Sequence, residues 1–201
     1  MRALRHEQGF TLMDILIAIA LVSIVTAMAI PMADSTSRGF RMKGDAQSLA
    51  NTVALAKMRA ASRFSRTRVY ADLNANAYRL EIWDKTAGAW VIDGGTVQLS
   101  NGVAFGFGAL DTPPPNTQDV IGQSTACTGA NSLTDDVVDN TACIVFNSRG
   151  VPVDNTTAGA PTGGNALYIT DGIGVHATTV TATPLVRQWW SSASAPGWVL
   201  E

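Results

Sequence analysis

Charge, histidine and cysteine are all scarce in this chain of 201 residues. Charged side chains make up only 15% of it, against 46% hydrophobic ones, so it is not a disordered polyelectrolyte. There are two histidines, His6 and His176, and two cysteines, Cys127 and Cys143. Two cysteines are a poor zinc site, since zinc takes four ligands. One histidine beyond the N-terminal leader is thin support for acid–base catalysis. Gly122-Gln-Ser124-Thr-Ala126 stops one residue short of a G-x-S-x-G elbow and lies in a polar loop, where the strand before and the helix after such an elbow are missing. A Ser124/His176 hydrolase pair is the weakest reading, and His176 reads as a surface residue of a strand. Basic residues are missing from the distal end: the last 50 residues hold only Arg187. Nucleic-acid binding there is unexpected.

Charge is also segregated. Of the 14 basic residues, nine fall between Arg38 and Arg79, where the acids are Asp45 and Asp72. Residues 80–201 carry three basic and 11 acidic residues, net −8. The plain reading is solvated faces; the functional one is basic stalks stacking against acidic heads of neighbouring subunits. Asp135, Asp136 and Asp139 lie between the cysteines and could contribute to calcium binding, but no Asp-x-Asp-x-Asp-Gly spacing is present, so a solvated loop is the default.

What the chain has in abundance stands near its start. From Phe10 to Ala33 only Thr11, Asp14, Ser23, Thr26 and Pro31 interrupt an apolar run of 24 residues. As a helix this reaches ~36 Å, enough for a hydrocarbon layer of ~30 Å. Arg2, Arg5 and His6 precede it and no Lys or Arg follows until Arg38, so the leader is held in the cytoplasm and residues 34–201 on the far side. A secreted β-rich binding protein with a cleaved signal peptide has a similar outline, with Ala27-Met28-Ala29 as its cutting site and Ile30 as the new terminus. That reading leaves Asp14 unexplained. A carboxylate inside such a run costs about 2.5–3.5 kcal/mol on insertion scales and calls for a partner.

Gly9-Phe10-Thr11-Leu12-Met13-Asp14 resembles the processing signature of type IV prepilins and type II secretion pseudopilins, usually Gly-Phe-Thr-Leu-Ile-Glu, and Pro31 fits the same pattern. The resemblance implies cleavage between Gly9 and Phe10 by a prepilin peptidase, N-methylation of Phe10, and a helix that anchors the subunit in the bacterial inner membrane before packing in a filament core. It further implies partners among other pilin or pseudopilin subunits, a single-pass topology with a periplasmic C-terminal domain, and a non-enzymatic role without cofactor. Asp14 stands where the family usually has Glu, one methylene shorter. It would pair with the new Phe10 amine of a neighbouring subunit, or, within its own chain, with its own Phe10 amine or the helix N-terminal dipole.

The implied fold is α+β and pilin-like: leader 1–9, transmembrane and filament-core helix 10–33, periplasmic amphipathic helix 34–66, and a β-rich globular domain 67–201. Leu49, Val53, Ala56 and Ala60 recur at helical spacing. Gly39 and Gly44 weaken the stretch before them, where a kink or melted turn would form. Val69–Leu73 and Tyr78–Ile82 alternate around Asn74-Ala-Asn76 as a hairpin. Residues 90–92, 96–99 and 103–105 are expected to continue that sheet, with later strands at 143–146, 166–169, 175–180 and 185–190. Residues 108–142 read as a long surface loop. On the oxidising side of the membrane Cys127 and Cys143 form one disulfide, closing 17 residues. The helix, the hairpin and Phe146-Asn-Ser-Arg-Gly150 are similar to the GspH/FimT group of minor pilins and pseudopilins. Of Trp189 and Trp190, adjacent on a strand, one must face outward.

Overall fold

The computed structural model describes residues 11–133, 135–155, 159–194 and 197–201, with the side chains of 28–35 outside that description. Among the described residues there is one helix, α1 (Leu12–Arg63), followed by ten strands. Two compact units are present, one ending at Phe40 and one running from Arg41 to Glu201. The helix is unbroken through Gly39 and Gly44, and neither glycine has a neighbour that a methyl group would meet.

In the second unit the strands are β1 (Thr67–Asp72), β2 (Ala77–Asp84), β3 (Ala89–Gln98), β4 (Ala104–Phe105), β5 (Thr141–Phe146), β6 (Pro152–Val153), β7 (Asn165–Thr170), β8 (Gly174–Val180), β9 (Val186–Ser192) and β10 (Val199–Leu200). They form two antiparallel sheets rather than one, in the orders β3-β2-β1-β5-β6 and β10-β9-β8-β7-β4. The β1–β2 hairpin forms as its alternation requires, with Asp72 opposite Ala77 and Asp72 Oδ1 accepting from the Asn74 and Ala75 amides at 3.1 and 2.8 Å. Two expectations are corrected. Residues 90–92 and 96–98 belong to a single strand, β3, because Asp93-Gly94-Gly95 forms a bulge, with Gly94 at φ +102°, that shifts register without ending the pairing. Residues 104–105 leave the first sheet and pair with β7 in the second.

The central core explains why the helix is amphipathic here. Met42, Ala46, Leu49, Val53, Ala56 and Ala60, spaced three and four apart, pack on Val69, Ala71, Tyr78, Leu80, Ile144 and Phe146 of the first sheet and on Leu167, Ile169 and Val180 of the second. Small residues at Ala46, Ala56 and Ala60 let the sheets approach the helix closely. Polar ties reinforce the contact: Thr67 Oγ1 donates to the Ala56 carbonyl at 2.8 Å, Gln188 Nε2 to that of Ala46 at 2.9 Å, and the Asp45 carboxylate accepts from Ser100 at 2.8 and 3.0 Å. The motif Phe146-Asn-Ser-Arg-Gly150 is the β5–β6 turn. Gly150 sits at φ +74°, where a Cβ would come within 3.2 Å of the Lys57 carbonyl on α1.

The segment between β4 and β5 is not a free surface loop. Cys127 and Thr128 are fully buried on the outer face of the first sheet, and Leu110 and Ser124 are buried against the second.

Candidate functional site

The start of α1 combines two features. Thr11 is its N-cap and Asp14 its third residue. The Asp14 amide donates to Thr11 Oγ1 at 3.3 Å, while Asp14 Oδ2 accepts from the Thr11 amide at 3.0 Å and from its hydroxyl at 2.8 Å. This reciprocal capping box satisfies donors that a helix start leaves open. Asp14 Oδ1 keeps no partner among the described residues. Gly9 and Phe10 lie outside the described residues.

Beyond the cap, every polar side chain as far as Ala27 is satisfied within the helix itself. Ser23 Oγ donates to the Ile19 carbonyl at 2.5 Å and Thr26 Oγ1 to that of Val22 at 2.6 Å. The ten large apolar side chains from Leu12 to Val25 are each 51–76% exposed. Only that exposed share remains to be buried, so at ~1.5–3 kcal/mol for each fully buried side chain covering it is worth about 10–20 kcal/mol, comparable with the net stability of a whole domain. An apolar surface of that size is more stable covered than left in water. Among the described residues no helix is long and apolar enough to cross a membrane.

In the second unit a buried polar cluster sits on the outer face of the first sheet. Cys127 and Cys143 are joined, with sulfurs 2.05 Å apart, and the loop they close folds as a small hairpin with Thr128 bridged to Val137. Beneath it Arg68, 2% exposed, donates from Nε to Glu81 Oε2 at 2.5 Å and from Nη1 to the Thr128 carbonyl at 2.7 Å. Its guanidinium lies 4.3 Å from the centre of the Trp90 ring and 5.2 Å from that of Tyr70. Arg79 Nε reaches the other Glu81 oxygen at 2.7 Å. Burial pulls the Arg68 guanidinium below its ordinary value, and the Glu81 carboxylate opposes that shift. The loop is held further by the Trp90 amide and indole, which donate to the carbonyls of Ala130 and Ser132 at 2.7 and 2.9 Å. The sequence reading missed this cluster, though the hairpin register that pairs Arg68 with Glu81 was its available signal.

The enzyme candidates do not come together. Ser124 Oγ donates to the Ala166 carbonyl at 3.0 Å and accepts from its amide at 2.9 Å, fastening the loop to β7. His176 is buried rather than on the surface, because its position on β8 faces α1: Nδ1 lies 3.2 Å from Glu201, whose other oxygen is 3.6 Å from Lys43. Burial lowers the His176 pKa, with Glu201 acting against it. Among the described residues, Asp135, Asp136 and Asp139 form no group placed to hold a metal ion. Trp189 turns inward, its indole donating to Thr179 Oγ1 at 3.0 Å, while Trp190 on the opposite face is 40% exposed.

No protein-family model matches this chain, and no curated protein matches it. Among solved structures it is similar to the minor pseudopilin EpsH from the type 2 secretion system of Vibrio cholerae, at 12% identity and a TM-score of 0.37, over 80% of this chain and 96% of that one.

Proposed function

We propose that this chain is a minor pilin or pseudopilin: a non-enzymatic structural subunit, cut between Gly9 and Phe10 by a prepilin peptidase, N-methylated on Phe10, held in the inner membrane by residues 10–33, and assembled with other subunits into a type IV pilus or a type II secretion pseudopilus. The observation that carries this reading is the pairing of the Gly9–Asp14 signature with an exposed apolar helix start on which one carboxylate oxygen has no partner among the described residues. Cleavage would create an amine at Phe10, one helical turn from Asp14. Thr11 occupies Oδ2, and Oδ1 would receive the amine of a neighbouring subunit. Two charges brought together in an apolar setting offset part of each other's desolvation, which sets the axial register of assembly.

The distal unit would lie in the periplasm, on the outside of the filament, with the Cys127–Cys143 bridge closing its loop. The pairing role is tested by Asp14→Ala, read as the amount of subunit recovered in sheared filaments. Cleavage should persist while incorporation falls at least several-fold, and Asp14→Glu should restore it. Undiminished incorporation of Asp14→Ala would refute the pairing.

A further inference from the structure

A cleft of about 430 Å³ opens where α1 ends, lined by Phe64, Arg66, Trp83, Lys85, Asn147 and Ser148. Its chemistry is one-sided. The Arg66 guanidinium, with five N–H donors, has no partner among the described residues. Lys85 Nζ uses one hydrogen on the Phe64 carbonyl at 2.6 Å and keeps two. Asn147 Oδ1 already accepts from the amides of Arg149 and Val151 at 2.9 and 3.1 Å, so its unfilled end is the NH₂ group. The nearby acid in sequence, Asp84, is turned away into its own bend, accepting from the Thr86 and Ala87 amides at 2.7 and 3.1 Å. Among the described residues, donors therefore converge on the cleft with few acceptors left to meet them.

The walls supply a second requirement. Phe64 is 73% exposed and holds φ +49°, a left-handed conformation that costs a non-glycine residue about 1–2 kcal/mol. Trp83 and Leu133 face the same space. An exposed aromatic ring held in an unfavourable backbone conformation, beside two cations with no counter-charge among the described residues, is a poor way to end a helix and a reasonable way to seat an apolar group next to an anion.

We propose that this cleft is a binding site for a protein carboxylate, taking an acidic residue of a partner's peptide segment between Arg66 and Lys85 and its apolar neighbour against Phe64 and Trp83. Bidentate pairing with Arg66 fixes the carboxylate's orientation, and Lys85 adds a second charge. A nucleic acid fits less well. Two cations facing one cleft do not track a phosphate backbone, and residues 80–201, net −8, repel a polyanion. The site does not depend on the pilin reading, since the geometry would bind an acidic segment in any setting.

The test is calorimetric titration of the full chain in detergent micelles with four probes: acetyl-Leu-Glu-Glu-Leu-amide, its glutamine counterpart acetyl-Leu-Gln-Gln-Leu-amide, that counterpart with a free terminal carboxylate, and a short DNA duplex. Saturable binding of the glutamate peptide, weakened at least tenfold by Arg66→Gln and several-fold by Lys85→Gln with thermal stability unchanged, supports a side-chain carboxylate as the ligand. Binding of the free-carboxylate peptide with the same dependence on Arg66 supports a chain terminus instead. Equal binding of the amidated glutamine peptide, indifference to Arg66→Gln, preference for the duplex, or no binding by any probe would overturn the proposal.

Discussion

Glu81→Gln is the substitution on which the energetics of the second unit turn. The change keeps the shape of the side chain and removes its charge. In the native protein that carboxylate is 3% exposed and receives Arg68 Nε at 2.5 Å and Arg79 Nε at 2.7 Å. Arg79 is partly exposed and can turn to water, but Arg68 lies under the disulfide loop between two aromatic rings and cannot. The variant therefore leaves a buried guanidinium without a counter-charge. Breaking a buried pair in this way costs about 3–5 kcal/mol. With a urea m-value of ~2 kcal/mol/M the unfolding midpoint should fall by roughly 2 M. Trp83 and Trp90 pack edge to face, 5.4 Å apart, over this cluster, so tryptophan fluorescence reads the transition directly. Removing both charges, as Arg68→Met with Glu81→Leu, should recover most of the loss, because two apolar groups need no compensation. A loss below ~1 kcal/mol for Glu81→Gln would mean that the pair is hydrated and that the loop does not seal it.

Two further outcomes follow from the same unit. His176 is held neutral by burial in the folded state, so the unfolded chain takes up its proton first as pH falls. Its contribution is complete above the unfolded value of ~6.5 and declines as pH drops below it toward the lowered folded value, with Lys43, Glu201 and Asp171 as the charges that modulate it. Denaturation at pH 7.5 and 5.5 should show the wild type losing more stability than His176→Gln; equal losses would place the sensitivity elsewhere. Replacing Cys127 and Cys143 by serine should cost about 3 kcal/mol from the 17-residue loop, measured as a lower unfolding midpoint that reductant no longer changes. An unaltered midpoint would show that the loop is held by Arg68 and Trp90 alone.

Much of this fold could be read from spacing, where one physical rule decides the outcome. Leu49, Val53, Ala56 and Ala60 face the core because helical periodicity leaves no other choice. Asp72 and the two asparagines after it turn β1 into β2 because an Asx side chain caps its own bend. What sequence did not disclose depends on contacts between distant segments. Residues 103–105 look like another strand of the first sheet, and only pairing with β7, more than sixty residues later, assigns them to the second. Asp93-Gly94-Gly95 looks like a break between two strands but is a bulge, because β2 continues unbroken beside it. His176 has the polarity of a surface residue and is buried because α1 covers that face of β8. Arg68 was hidden for the same reason: nothing local announces that a loop 60 residues away will close over it.

The assembly reading rests on one covalent event, and intact-mass and N-terminal analysis of the protein recovered from membranes tests it most directly. The account predicts a chain that begins at Phe10, carries one added methyl on its terminal nitrogen, and keeps the whole apolar run. A chain beginning at Ile30, from which Asp14 has been removed, would contradict it.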